Sequence, residues 1–206
     1  MKKLMLLVIP LVLLLSSCNT QPTLEYNVIF ESNGGTAIET VSAKDGDSIS
    51  ELPSTVKEGY SFQGWFTGEG VSDTQFTNIS IVSRDITLYA KWEVNQYTIS
   101  FNSNEGSSVN SITQDYNTTI TEPSNPTKEG YTFDGWYSDI NLTTAYTFTT
   151  IPAENITVYA KWSINSYTLQ YVDEDDTVLQ TADYTYGTDL SSVGASEPVK
   201  EGYKFT

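Results

Sequence analysis

The sequence predicts a mainly β protein built from tandem copies of one small unit. Three observations predict it: a recurring aromatic decamer, strand-like alternation of apolar residues within each copy, and turn residues between the alternating runs. The decamer reads KEGYSFQGWF from Lys57 and KEGYTFDGWY from Lys128, and a third copy, KEGYKFT, begins at Lys200. After residue 25 no stretch shows the helical period of 3.6 residues, apart from room for a single turn near Ser48–Leu52.

The first strand of each unit shows a two-residue alternation. Tyr26, Val28 and Phe30 are expected on one face of the strand, and the same pattern returns from Tyr97 and from Tyr167. Corresponding positions therefore recur at intervals of about 70 residues, and such self-similarity is the signature of a repeat architecture.

Turns and further strands complete the unit. Asn33-Gly34 predicts a two-residue hairpin turn, because both central positions of that turn need positive φ. A second strand is expected through Ile38 and Val41. The decamer supplies the next strand, and the last one ends in the YAKW segment at Trp92.

The repeats divide the chain into three units of about 67 to 71 residues. We assign them to residues 26–92, 97–162 and, incomplete, 167–206. The four-residue connections EVNQ and SINS are too short to separate the units, so we expect an elongated, bead-like array. Since the third unit stops within an aromatic strand, we expect the chain to continue beyond Thr206; a terminal half-repeat that caps the array is the alternative.

The N-terminus predicts an export signal. Lys2 and Lys3 precede an apolar run, Leu4–Leu15, which would cover only about 18 Å as a helix and is too short to span a bilayer. The stretch LSSC, Leu15–Cys18, resembles the lipobox of bacterial lipoproteins. That resemblance implies a signal peptide over residues 1–17, acylation of Cys18 by two or three chains such as palmitate, and a short linker over 18–25. Ordinary secretion with an unmodified cysteine is the alternative.

Composition excludes several kinds of chemistry. The 206 residues include no His and one Cys, which removes His-based catalysis, His metal ligation and an intramolecular disulfide. The net charge of −16 makes nucleic acid an unsuitable partner, because phosphates would be repelled.

The acidic motifs are interpreted as turns. DEDD at Asp173–Asp176 and DGDS at Asp45–Ser48 invite a cation site, but both lack the spaced oxygens and closing Glu of a calcium loop. Their positions in the repeat correspond to turns in the other copies. We therefore predict no metal site, no cofactor and no catalytic residues, and a protein that is not an enzyme.

The recurring aromatic residues are predicted to form the core of each unit. Exposed Trp rings that stack on sugars are the alternative, but recurrence at equivalent strand positions favours packing. Gly64 and Gly135, each just before a Trp, are expected to mark a bulge or a close backbone approach. The predicted core set is Tyr60, Phe62, Trp65, Trp92, Tyr131, Phe133, Trp136 and Trp162.

The segments GYSFQGWF, GYTFDGWY, LYAKW and VYAKW resemble the internalin B-repeat family, also called the Listeria/Bacteroides repeat. The resemblance covers nearly all of residues 26–206. It implies a small β-grasp-like unit, found in tandem in bacterial surface proteins, that is non-catalytic and serves as a spacer or as an adhesion and host-contact module. The family supplies no universal ligand-binding residues. The third unit departs from the pattern in its acidic turn and its missing second half.

Together these features predict a surface-anchored bacterial lipoprotein that faces outward from the cell envelope. Its expected partners are the membrane, through the N-terminal lipid, and a protein or glycan on a host or cell surface. Two alternatives remain open: the tether of a larger surface enzyme whose catalytic domain lies beyond residue 206, or a glycan-binding protein.

Overall fold

A computed structural model describes residues 22–70, 73–191 and 201–202. Within these ranges all regular secondary structure is β-strand, which confirms the mainly β prediction. Cys18, the apolar run before it and Lys200 lie outside the described residues.

The described residues contain eleven strands in three sheets. Their bounds are, in chain order, β1 Glu25–Glu31, β2 Val41–Lys44, β3 Tyr60–Phe66, β4 Gln75–Phe76, β5 Ile86–Val94, β6 Gln96–Asn102, β7 Ile112–Asp115, β8 Tyr131–Tyr137, β9 Ile156–Ile164, β10 Ser166–Val172 and β11 Val178–Thr185. The first repeat forms the sheet β2-β1-β5-β3-β4, the second repeat forms β7-β6-β9-β8, and β10 pairs with β11. Apart from the short edge strand β4 of the first repeat, the two complete repeats therefore share one strand order.

The centre of each four- or five-stranded sheet is a parallel pair. Val28 and Phe30 of β1 lie opposite Ile86 and Leu88 of β5, and Ile99 of β6 lies opposite Ile156 in β9 in the same way. The flanking pairs are antiparallel. Parallel strands are normally buried, and the central residues here are fully so: Val28, Leu88, Ile99 and Val158 have no exposed surface.

The Asn33-Gly34 turn forms, but the predicted two-residue hairpin is wrong. Asn33 and Gly34 have φ of 49° and 87°, as such a turn needs. However, β1 pairs with β2 only as far as Val28 opposite Val41, and Ile38 lies outside the strand. The physical reason is that the end of β1 pairs with β5, so the chain must leave the sheet before it returns as β2.

Two further local features are set by the structure. The segment near Ser48–Leu52 forms no helical turn; Ser48 instead makes an isolated antiparallel bridge with Ile81. The strands extend into the four-residue connections EVNQ and SINS, so that only Asn95 separates β5 from β6, and only Asn165 separates β9 from β10.

The chain divides into two compact units whose boundary does not follow the repeats. Among the described residues, the first unit comprises 22–33, 37–54 and 64–90, and the second comprises 34–36, 55–63 and everything from 91 onward. Most of the first repeat lies in the first unit. The segment Lys57–Tyr60 of the first repeat, which we call its KEGY loop (Lys128–Tyr131 in the second repeat), and Trp92 belong to the second unit, together with the second repeat and the β10–β11 hairpin.

Each unit has its own apolar core. In the first, Trp65 packs edge-on against Phe30 at 4.7 Å between ring centroids, and its indole N–H donates to the Pro53 carbonyl at 2.7 Å. In the second, Trp136 packs against Phe101 at 4.9 Å. Buried aliphatic residues surround these rings: Val28, Ile49, Val82, Leu88 and Ala90 in the first unit, and Ile99, Ile120, Ile151, Val158 and Ala160 in the second.

A bulge beside Gly135 sets which rings share a face. The pairing of β8 with β9 shifts register between Phe133 and Gly135, which confirms the bulge prediction for that glycine. Gly135 has φ of 121°, and Gly64 has φ of 112° at the equivalent position. Residues three apart in a regular strand point to opposite faces, but the extra residue lets Phe133 and Trp136 meet at 5.4 Å.

Candidate functional site

Of the eight predicted aromatic core residues, two are buried and six are half-buried. Trp65 and Trp136 are 1% and 2% exposed. The half-buried residues are Tyr60, Phe62, Trp92, Tyr131, Phe133 and Trp162. Among these six, Phe62 meets Trp92 at 5.4 Å and Phe133 meets Trp162 at 5.3 Å, so each complete repeat has one such Phe–Trp pair.

The second repeat carries a shallow cleft beside Trp162, which we call the lysine–tryptophan cleft. Lys128 forms its wall: the Nζ atom lies 4.7 Å from the Tyr131 ring centroid and donates to the Asn104 carbonyl at 3.0 Å. Lys128 also pairs with Glu105 at 3.1 Å. Glu105 is 88% exposed, so this ion pair contributes little to stability.

Two contacts hold the Trp162 ring in that cleft, one to the Ser103 carbonyl and one to Gly106. Its indole N–H donates to the Ser103 carbonyl at 2.9 Å. A Cβ on Gly106 would come within 2.5 Å of Trp162 Cζ2, so the ring lies directly against that glycine. In the first repeat Gly35 and Trp92 stand in the same relation, at 2.6 Å. A ring held in this way acts first as a packing element.

The first repeat carries a lysine in the corresponding place. Lys57 Nζ lies 4.4 Å from the Tyr60 ring centroid and 5.8 Å from that of Trp92. Both complete repeats therefore present a cation above a tyrosine and beside a tryptophan, a contact worth about 0.5 to 1 kcal/mol at an exposed site.

The first joint between repeats is centred on Asn95. Its N–H donates to the Gly59 carbonyl at 2.9 Å, and its own carbonyl accepts the N–H of Tyr116 at 2.8 Å. Its side-chain oxygen accepts the Ser61 hydroxyl at 2.5 Å. The Tyr116 ring meets the Tyr60 ring at 6.1 Å, edge to face. One residue therefore connects the KEGY loop of one repeat to the turn at Tyr116-Asn117 of the next, which follows β7 and which we call the second turn of the repeat.

The second joint has the same geometry one repeat later. The Asn165 N–H donates to the Gly130 carbonyl at 2.8 Å, and the Tyr186 N–H donates to the Asn165 carbonyl at 2.9 Å. Thr132 takes the place of the serine and donates to the Asn165 side chain at 2.6 Å. The Tyr186 ring lies 6.4 Å from that of Tyr131. Both joints lie within the second compact unit.

Charge acts at the second joint as well. A hydrogen bond to the Glu129 carboxylate raises the pKa of Tyr186 above its ordinary value of 10, with smaller contributions from burial and from the charge of Glu129. The neighbouring Tyr167 and Tyr131 rings add in the same direction. The carboxylate of the KEGY loop therefore favours the neutral phenol of the following repeat.

The acidic motifs are found in turns, as their positions predicted. In DEDD, the Asp173 carboxylate accepts the N–H groups of Asp175 and Thr177 at 3.0 and 2.9 Å, and Asp176 has φ of 60°. In the part of the chain that the structure describes, no three carboxylate or cysteine side chains converge on a point that would suit a metal ion. No helix among the described residues is long and apolar enough to cross a bilayer.

Sequence reasoning did not anticipate the joints. Tyr116-Asn117 and Tyr186-Gly187 occupy the positions of the turn residues Asp45-Gly46 of the first repeat, and no local pattern in the sequence gives the tyrosine rings a partner. A signal was present, because the first repeat has Asp45 where the later repeats have tyrosine. Only the structure shows which surface those rings meet.

These repeats with shared strand order define a tandem β-repeat protein, and its family is established by sequence comparison. The model of the Listeria-Bacteroides repeat domain matches residues 26–91, 97–161 and 167–206. The chain therefore belongs to this family, as its aromatic motifs predicted.

Three relatives show where such repeats occur. A protein of Evansella cellulosilytica named "Putative membrane protein" is 43% identical over 185 residues, which is 87% of this chain and 28% of that protein. A "Putative Gly-rich membrane protein" of the same organism is 41% identical over 182 residues, 88% of this chain and 21% of its own length. Internalin H of Listeria monocytogenes is 37% identical over 150 residues, which is 71% of this chain and 27% of Internalin H. The chain thus spans about a quarter of the length of these relatives, and none of their names indicates a catalytic activity.

Proposed function

We propose that this chain is a non-catalytic lipoprotein of the bacterial surface, whose repeats form a spacer between the membrane and an outward-facing contact. Two observations support the anchor: the LSSC stretch at Leu15–Cys18 behind a short apolar run, and relatives that are named membrane proteins. Two or three acyl chains on Cys18 would hold the protein stably, whereas one would not.

The observation that carries the spacer role is the hydrogen-bonded joint. Flexible linkers between domains are rich in Gly and Ser and behave as random coils. Here a single residue, Asn95 or Asn165, separates the strands, and its N–H and C=O both bond to neighbouring repeats. Such a connection transmits position along the array better than a coil would.

Limited proteolysis tests the spacer. A variant with Gly-Gly-Ser inserted after Asn95 is expected to be cut in the connection, while the parent chain resists cleavage there. The same insertion in the loop at Gly68, which is not a joint, is the matched control. Equal cleavage of parent and joint variant between residues 93 and 97 would show that the joint is open and the spacer proposal wrong.

Labelling tests the anchor. In a bacterial host fed labelled palmitate, the parent should incorporate label and sediment with membranes, and Cys18→Ala should lose both properties. Ser17→Ala keeps a small residue before the cysteine and should behave as the parent. Membrane attachment of Cys18→Ala equal to that of the parent would contradict lipid anchoring.

An adhesion role is the second candidate, favoured by the lysine–tryptophan cleft in the second repeat and its counterpart in the first. A cation beside an aromatic face suits either an acidic glycan or a protein surface. The double variant Lys57→Ala/Lys128→Ala is expected to lose binding to glycan arrays or cell surfaces, with Lys44→Ala/Lys91→Ala as a charge-matched control. Binding that survives the first pair of substitutions would remove the cleft from consideration.

The repeats would serve equally as the tether of a longer protein, including an enzyme. The relatives support this reading in one respect, since the matched segment is only about a quarter of their length. Sequencing the gene beyond Thr206 decides between the spacer and the tether. Further repeats favour the spacer, and a distinct globular domain favours the tether.

A further inference from the structure

We propose that Tyr116 and Tyr186 are docking residues, and that the KEGY loop of each complete repeat is an interaction surface for the tyrosine of the repeat that follows. The partner that this surface fits is therefore another repeat of the same family with tyrosine at its second turn.

The loop is shaped to receive a ring. A Cβ added to Gly59 would lie 2.0 Å from Cδ1 and 2.2 Å from Cγ of Tyr116. At the second joint, a Cβ on Gly130 would lie 2.0 Å from both Cδ1 and Cγ of Tyr186. The ring in each case lies against bare backbone, so no residue with a side chain can occupy the glycine position without displacing the tyrosine.

Comparison with the first repeat separates docking from turn formation. At its second turn, Gly46 has φ of 85°, close to the 62° of Asn117 and the 77° of Gly187. The Asp45 N–H donates to the Leu24 carbonyl at 2.9 Å, which is the bond that the two tyrosines make to their asparagines. The turn and its backbone bond therefore form without a tyrosine.

A second position changes together with the tyrosine. The residue before the first strand is asparagine in the two later repeats, where it bonds Ser61 or Thr132 of the preceding repeat. In the first repeat the same position is Leu24, which is 61% exposed. Residues 1–25, which precede that repeat, lie outside the family match. The two repeats that follow a KEGY loop therefore have asparagine and tyrosine at these two positions. The first repeat, which has no matched repeat before it, has leucine and aspartate there.

The pairing gives the array a direction. The first repeat carries the receiving glycine, Gly59, but not the asparagine–tyrosine pair. The second repeat carries both, with Gly130 on one side and Tyr116 on the other. A repeat of the first kind can therefore be followed by another repeat but is not built to follow one.

A double-substitution cycle in the chain 22–206 tests the docking. The variants are Gly59→Ala, Tyr116→Ala and both together, and the readout is hydrogen exchange of the Asn95 amide, which donates to Gly59 across the joint. We expect each single substitution to speed that exchange by about two- to tenfold, the range an edge-to-face ring contact supports. The double variant should exchange no faster than the faster single variant, because both changes remove one contact.

Two controls keep the cycle decisive. Gly46→Ala places a Cβ at a similar positive φ with no heavy atom within 4 Å, so backbone strain without a ring clash should leave the Asn95 amide unchanged. Tyr116→Phe retains the ring and should retain the protection. Additive effects of Gly59→Ala and Tyr116→Ala, no effect of Tyr116→Ala, or an equal effect of Gly46→Ala would each overturn the proposal.

Discussion

Asn104 and Ala160 are joined by a hydrogen bond of 2.7 Å from the side-chain amide of the asparagine to the carbonyl of the alanine. Asn33 makes the same bond to Ala90 in the first repeat, at 2.9 Å. In both repeats the turn after the first strand is thereby bonded to the strand that comes last in the sequence of the repeat, β5 or β9. The asparagine serves twice, since it also accepts the positive φ of the turn.

Replacing Asn104 by glycine should separate these two roles. Glycine accepts the φ of 47° but cannot donate to Ala160, so we expect the free energy of unfolding to fall by about 1 kcal/mol. Asn117→Gly is the matched control, because Asn117 also has positive φ, 62°, but no side-chain bond to a strand. Chemical denaturation should show a loss for the first variant alone; equal midpoints would mean that the Ala160 bond contributes nothing.

Glu105→Gly is expected to stabilise the second repeat. Glu105 has φ of 69° where the first repeat has Gly34, and a non-glycine residue in this region is strained by about 1 kcal/mol. The substitution also removes the exposed ion pair with Lys128, which costs at most a few tenths of a kcal/mol. We expect a net gain of about 0.5 to 1 kcal/mol by thermal denaturation. A lower melting temperature would show that the ion pair outweighs the strain.

The tryptophans should differ in their contributions according to burial. Trp136→Ala removes a fully buried ring and should cost about 3 to 5 kcal/mol, enough to unfold a domain of this size. Trp162→Ala removes a half-buried ring and should cost less, while Ile140→Ala, at a side chain 72% exposed, should stay within about 0.5 kcal/mol. If Trp162→Ala melted like the parent, its ring would be a surface platform, and the glycan-binding alternative would gain support.

The second joint should weaken at high pH. The Glu129 carboxylate raises the pKa of Tyr186 above 10, so the folded chain holds the phenol proton more tightly than the unfolded chain does. This contribution to stability is complete below pH 10 and is lost as the pH rises through the folded pKa. Glu129→Gln should lower the pKa of Tyr186, measured by NMR titration of the ring carbons. An unchanged titration would mean that Glu129 does not contact the phenol.

The sequence was sufficient to predict the recurring aromatic core residues, but not the contacts that connect successive repeats. Trp65 and Trp136 were easy to single out because large aromatic residues returned at a fixed interval. Val82 and Ile151, which are as deeply buried, lie outside long strands and show no alternation that would reveal them. The parallel pairing of β1 with β5 depends on contacts nearly 60 residues apart, which no local pattern records. Tyr116 and Tyr186 can be found in the sequence, but the glycines that their rings contact belong to the preceding repeat, and no local pattern predicts that contact.

The most direct test of the account is to remove the last joint. Chain 22–165 ends before β10 and lacks Tyr186, whereas chain 22–191 keeps the β10–β11 hairpin and its contact with Gly130. If successive repeats dock as proposed, exchange of the amides in β8 and in the Gly130 loop should be faster in the shorter chain. The variant Tyr186→Ala in chain 22–191 should reproduce most of that increase. Identical exchange in all three chains would show that each repeat stands alone, and would contradict the account.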